Sequence, residues 1–361
     1  MHDTVFFIGA HRATQYMIAY VDCNAPPIVA VFLYMSSGAH GSREIARACN
    51  KKRQPSGEYL MSPGTDALTI RMLLGDYPNT LPLKKGEISS ARVAFDFVPE
   101  KTVNLVFKRV VRDLEFDIAE LAIATYLQAK AYGKPLVLLP IVIRGKLPHS
   151  TLAYNSGRGH LAPADLVGRR VGIRAYAQTT PLWVRGILQN DYGVDLDRVQ
   201  WVTFEDSHVA EYREPAGVER AAAGKKLRQM LLDGELDAGI VSEQRDAKDT
   251  RLKTVIPDAA AAGHAWYQEY KVIPINHMVV VKESFVKTHP DVIQEIFRLL
   301  AESKKAAGLL PAYGIDQFPI GVEPNRRALE MAIQYAVQQR LIPKAFTVDD
   351  LFNDFTRKLG A

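Results

Sequence analysis

Two histidines, two acids and one helix start hold the side-chain types in this chain that could do chemistry. His149 stands in LPHSTLAY and His277 in PINHMVVV. Imidazole is the side chain that exchanges a proton near neutral pH, so both are candidate general acids. Each also reads as a histidine hydrogen-bonded to backbone with no further role. Glu120, in FDIAELAIATYL, and Asp76, in GDYPNT, follow predicted strands and could accept a proton. Asp76 equally caps the turn at Pro78 and Asn79, and Glu120 equally begins its helix, where the dipole favours a negative charge. Tyr77 and Thr80, in the same phrase as Asp76, are candidate substrate contacts.

The stretch RAYAQTTPLWVRGIL, Arg174 to Leu188, reads as a strand end, a polar loop and a helix start. Thr180 suits the N-cap and Pro181 the first helical position. The same residues have a second reading. Gln178, Thr179 and Thr180, with free N–H groups and a nearby cation, would hold a carboxylate or another small anion. Tyr176 and Trp183 could stack on a ring, although core packing is the commoner use of Trp183. Among the cations, Arg144 ends the apolar strand LVLLPIVI and ranks first for a bidentate carboxylate contact, with Arg174 and Arg185 next. Arg326 lies in GVEPNRRALE, where Pro324 fits a first helical turn and Asn325 and Arg326 equally serve that terminus. No metal-ligand spacing occurs, and no metal or other cofactor is expected.

The elements that must position these residues alternate. Strands are predicted at ALTIRMLLG, ARVAFDFVP and LVLLPIVIR, with a helix over TVNLVFKRVVRDLE and a strand running into a helix over FDIAELAIATYLQAKAYG. A second unit follows: PADLVGRRVGIRAY, the helix TPLWVRGILQNDYG stopped by Gly193, the strand VQWVTF, then KLRQMLLDGELDAGIVSE as helix, turn and strand. HMVVVKESF is again a strand. HPDVIQEIFRLLAESKKAAG and VEPNRRALEMAIQYAVQQRLI are helices, and VDDLFND is a last short one. The alternation predicts α/β architecture with largely parallel sheets.

The 361 residues suffice for two domains; 47% are apolar and 24% charged, an ordinary globular balance. A net charge of +5 without an Arg/Lys stripe excludes a typical nucleic-acid binder. No run of 18 apolar residues predicts a membrane span, and PPIVAVFLYM makes a poor signal peptide, so the expected setting is cytoplasmic. Cys23 and Cys49 could pair, but nothing in the sequence demands a disulfide. Residues 1–60 are polar, Gly- and Pro-broken and aperiodic; they read as a poorly ordered extension or an over-extended start, with Met61 a natural alternative, or as an extra subdomain.

DLVGRRVGIRAYAQTTPLWVRGILQNDYGV, MLLDGELDAGIVSE, VIPINHMVVV and GVEPNRRALE together resemble the 4,5-dihydroxyphthalate decarboxylase family, over about residues 68 to 355. The resemblance implies a type II periplasmic-binding-protein fold: two α/β lobes joined by two crossover strands, with the ligand in the cleft between them. Lobe one would be 68–150 plus 278–361 and lobe two 151–277. His149 and His277 would then approach the cleft from the crossovers, and the TTPLWVR junction would face it. Two positions depart from the family pattern. Asn79 stands in DYPNT where a DYDRT-type phrase carries Arg, and Pro148 in GKLPHS where an FRHS-type phrase does.

The implied activity is cofactor-independent decarboxylation of 4,5-dihydroxyphthalate to protocatechuate. That reaction needs an acid to protonate the ring carbon, an acceptor for the hydroxyl para to it, and a cation or helix N-terminus for the retained carboxylate. The expected partner is a small aromatic carboxylate, and a homo-oligomer is compatible with the sequence. The alternative, on the same fold, is a solute-binding protein that hands an anion to an ABC-type transporter.

Overall fold

The computed structural model describes residues 67–100, 102–241, 249–311, 314 and 316–360. The expectations for residues 1–60 and for Cys23 and Cys49 lie outside them. Four strands come first in the chain, β1 (Leu68–Leu73), β2 (Val93–Phe97), β3 (Ile118–Ala122) and β4 (Leu136–Gly145). Then follow β5 (Leu152–Asn155), β6 (Arg170–Ile173), β7 (Gln200–Thr203), β8 (Glu219–Arg220), β9 (Ala238–Ile240), β10 (Leu252–Thr254) and β11 (Ile275–Lys282).

They form two sheets, ordered β2-β1-β3-β11-β4 and β10-β5-β9-β6-β7-β8. In the first, β1, β2 and β3 are parallel, and β11 runs antiparallel between β3 and β4. The chain leaves this sheet after β4, builds the second and returns with β11 at Ile275. In the second sheet β9, β6, β7 and β8 are parallel, while β5 runs antiparallel to β9 and β10.

Strand β4 shows how sequence fits place. Nearly every residue of LVLLPIVIRG is buried, as a continuous apolar run requires. Its Pro140 lacks an N–H and therefore occupies an edge strand, whose free side is covered by the segment at Pro319 and Gly321. The register between β4 and β11 shifts around His277 and Met278. Such a bulge twists the strand and re-aims its side chains, here His277 and its partner Arg144.

The five longest helices among the described residues are α1 (Ile123–Ala131), α2 (Thr179–Asn190), α3 (Ala259–Tyr270), α4 (Pro290–Ala306) and α5 (Glu323–Gln338). The predicted helix over TVNLVFKRVVRDLE is not continuous. A 3₁₀ turn at Val103–Leu105 precedes a short π-helical turn at Arg109–Asp113, which ends at Leu114 with φ 49°. Four β-branched valines weaken helix propensity there, and burial of Val103, Val106, Val110 and Val111 sets the path instead.

α2 belongs in sequence to the second sheet's unit yet packs on α1 and α5. Trp183 is core: its ring meets Tyr335 edge-on at 5.6 Å and its N–H donates to the carbonyl of Ile275 at 2.8 Å. Gly186 makes the approach to α5 possible, because a Cβ there would lie 2.0 Å from the Tyr335 ring. Gly186→Ala is therefore expected to cost about 1–3 kcal/mol by overpacking, read as a lower denaturant midpoint at unchanged slope. An unchanged midpoint would mean that Tyr335 yields without loss.

Candidate active site

Glu120 sits in the middle of β3 at 0% exposure, among isoleucine, alanine and leucine. A carboxylate so buried must be fully hydrogen-bonded. It accepts from the N–H of Gly75 at 2.9 Å (Oε2), from the Tyr77 hydroxyl at 2.9 Å (Oε1) and from Nδ1 of His277 at 2.5 Å (Oε1). Since the carboxylate only accepts, Nδ1 carries the proton and Nε2 is the ring nitrogen left for exchange with a substrate.

Strand register explains the pairing. On β3 and β11, His277 lies opposite Ala122 and Glu120 opposite Val279. Glu120 and His277 are thus diagonal neighbours on one face, within reach of long side chains. Tyr77 arrives from the loop after β1. The loop is tied by Thr80, whose hydroxyl donates to the Gly75 carbonyl at 2.7 Å and accepts from the Tyr77 N–H at 2.9 Å. Gly75 is required here by space, because a Cβ would fall 2.5 Å from the Tyr77 ring. Burial, followed by the Glu120 carboxylate, pushes the Tyr77 phenol well above its usual range, so it remains a donor. The Arg144 guanidinium lies 5.1 Å from the centre of the Tyr77 ring.

Helix starts meet beside this cluster. β3 runs directly into α1, whose Ala124 N–H donates to Thr179 Oγ1 at 3.1 Å, and Thr179 is the first residue of α2. The first turns of α1 and α2 therefore meet at the Ala124–Thr179 contact, and a helix N-terminus is a setting favourable to an anion. The N-cap of α2 is Gln178, without a side-chain cap bond. The capping role expected of Thr180 is thus not taken, because the helix begins two residues earlier and Thr179 spends its hydroxyl on α1. Thr180 is half-buried in the first turn, and Gln178 leaves its buried Nε2 without a partner.

The remaining expected residues lie elsewhere. Glu120 does not begin a helix, since β3 continues past it. Asp76 is exposed and ion-paired to Lys84. Arg185 is fully buried and donates to the Tyr176 carbonyl at 2.6 Å; its guanidinium packs 3.7 Å from the centre of the Tyr176 ring, which uses both residues within the second unit. Arg326 is held by Glu323 and Asp349 at the start of α5. His149 is buried against Trp266, with ring centres 6.0 Å apart, and has no contact with Glu120. Asn79, where the family phrase has Arg, is buried and donates to the Ile143 carbonyl at 3.2 Å.

Three site residues had no signal in the sequence. Gly75 precedes DYPNT, Phe107 sat in an expected helix, and His208 is a lone histidine in a polar loop. Phe107 meets His277 edge-on at 5.2 Å and His208 edge-on at 5.6 Å. Among the described residues no group of three or more His, Cys, Asp or Glu side chains could hold a metal ion.

Comparison with known proteins follows this geometry. The chain aligns in structure with the alkanesulfonate-binding protein SsuA of Xanthomonas axonopodis pv. citri at a TM-score of 0.53 and 12% identity, covering 80% of this chain and 99% of that one. For the periplasmic aliphatic sulphonate binding protein SsuA of Escherichia coli the TM-score is 0.51 at 12% identity, covering 81% and 98%. The fold is the two-lobed α/β fold of periplasmic binding proteins. No family model matches the chain. In sequence it is 32% identical over 181 residues to a 4,5-dihydroxyphthalate decarboxylase of Pseudomonas putida, covering 48% of this chain and 70% of that protein. It is 29% identical over 252 residues to the enzyme of the same name from Comamonas testosteroni, covering 66% and 76%. The chain belongs to the 4,5-dihydroxyphthalate decarboxylase family.

Burial lowers the His149 pKa to about 4, and burial followed by the charges of Arg174, Lys108, Arg112 and His277 lowers that of His208 to about 3. In the unfolded chain both titrate near 6.5. As pH falls below about 6.5 the unfolded state takes up protons that the folded state refuses, so stability declines with acid. Melting temperatures between pH 7.5 and 5 should fall less steeply for a His149→Gln/His208→Gln double variant than for the parent. Parallel curves would show that neither histidine is held neutral.

Proposed function

We propose that this chain decarboxylates a hydroxylated aromatic carboxylate, with 4,5-dihydroxyphthalate as substrate and protocatechuate as product. The observation that carries the reading is the buried Glu120–His277 pair at one end of the cleft-side strands, with Tyr77 and Arg144 beside it. The names of the two relatives support the choice of substrate. Lobes of 68–150 with 278–361 and of 151–277, and a cytoplasmic setting, belong to the same reading.

In this mechanism His277 is the acid. Its imidazolium, stabilised by the Glu120 carboxylate at Nδ1, delivers the Nε2 proton to the ring carbon bearing the leaving carboxylate. The hydroxyl para to that carbon supplies electron density to the protonated ring. The carbon–carboxylate bond then breaks, its electron pair restores the aromatic ring, CO₂ departs, and neutral His277 regains a proton from water. Glu120 orients and charges His277 rather than accepting the phenolic proton, because its oxygens are already engaged by three donors. Tyr77, held as a donor, fixes the same carboxylate. Arg144 and the helix N-termini at Ala124 and Thr179 are the groups for substrate carboxylates.

His277→Gln is expected to lower kcat by about 10²–10⁴-fold, the usual contribution of a general acid, while dissociation constants for protocatechuate stay near the parent value. Glu120→Gln should lower kcat similarly and also lower the melting temperature, since an amide cannot accept at all three positions. Incubation with 4,5-dihydroxyphthalate, followed by chromatography of the product and measurement of CO₂, tests the whole reading. Saturable binding without turnover would instead mark a solute receptor.

A further inference from the structure

A loop of the second sheet's unit reaches onto the first. Arg112, in the π-helical turn, donates to the backbone carbonyls of Ser207 and His208, each at 2.8 Å. The Ser207 hydroxyl donates to Gln128 Oε1 on α1 at 3.1 Å, and Glu211 pairs with Lys134 at 2.6 Å. These contacts seat His208, which is 8% exposed, with Nδ1 2.8 Å from the Thr125 hydroxyl of α1. Its ring then packs nearly perpendicular to that of Phe107, at an interplanar angle of 85°, and the Phe107 ring packs against His277 at 79°. Phe107 is completely buried, so it cannot shift without disturbing both imidazoles.

We propose that His208 is a positioning residue that seats the proton donor His277 through Phe107, so that the acid is aligned when the Ser207–Glu211 loop is docked on the first lobe. The role follows from two properties of one side chain. The hydrogen bond to Thr125 fixes the rotation of the imidazole, and the fixed ring packs nearly perpendicular to Phe107. An aliphatic residue would lack the first and an amide the second. His208 stays uncharged beside Lys108, Arg112, Arg174 and His277 because it is buried among cations. The loop thus delivers a neutral ring, not a second charge, next to the acid. Docking of the loop and alignment of His277 become one event, which confines proton delivery to the closed, water-poor cleft.

The inference rests on the decarboxylase reading for its kinetic arm only. Two full-length variants separate the two properties: His208→Phe keeps a ring without the hydrogen bond, and His208→Asn keeps a hydrogen bond without the ring. Each is expected to lower kcat for 4,5-dihydroxyphthalate by about 10- to 100-fold, the scale of a small misplacement, with the protocatechuate dissociation constant within about threefold of the parent. The downfield proton resonance of the His277 Nδ1–H shared with Glu120 should move or broaden in both. Should either variant fail to unfold cooperatively, Thr125→Val removes the hydrogen-bond partner and takes its place with the same expectations. Parental kcat together with a parental resonance in folded variants would overturn the proposal. If the parent protein has no turnover, the decarboxylase reading fails, and the resonance alone decides the positioning role: shifted in its favour, unshifted against it.

Discussion

A carboxylate in a sheet interior has to be surrounded by donors, and the first lobe is arranged around that demand. Removing one partner from a buried charged pair typically costs about 3–5 kcal/mol, because the remaining charge is left without compensation. Glu120 avoids this by drawing a backbone N–H from the end of β1, a phenol from the following loop and an imidazole from β11. The Gly75–Tyr77 segment, β3 and β11, far apart in sequence, are therefore held to one point. The bulge around His277, the space left by Gly75 and the hydroxyl bonds of Thr80 all serve that convergence.

The same demand relates the site to a fold shared with binding proteins. In a two-lobed fold, closure can serve capture alone. Here a carboxylate–imidazole pair is buried beside the contact between the first turns of α1 and α2. Neutral donors and helix ends suffice to hold an anion. The decarboxylation proposed above requires a proton donor in addition. The departures at Asn79 and Pro148 fall outside this pair. Asn79 is committed to the Ile143 carbonyl and Pro148 begins the 3₁₀ turn that carries the buried His149.

Much of the fold was legible in the sequence because periodic burial is a local property. Alternating strands and amphipathic helices mark themselves every two or three to four residues, so LVLLPIVIR, FDIAELAIATYL and HPDVIQEIF announced β4, β3 with α1, and α4. The exceptions have local causes too. The valine-rich segment at 103–111 has helical spacing but follows its burial into two short turns. The helix start at Gln178 rather than Thr180 reflects a tertiary contact, because the Thr179 hydroxyl was claimed by α1.

The candidate site was legible in part, and the division has a physical reason. Residue type alone marked His277, Glu120, Tyr77, Thr80, Arg144 and Thr179 as groups able to move protons or hold anions. Their roles, and the separation of Asp76, Arg185, Arg326 and His149 from them, depended on contacts between residues dozens to hundreds of positions apart. His208 and Phe107 drew no notice because a lone imidazole and a lone phenyl have no spacing to display. What the sequence by itself determined is the order of strands and helices, and with it the ends at which polar residues gather. Only the tertiary structure decided which of those ends meet, because that depends on which buried charges find their partners across the sheets.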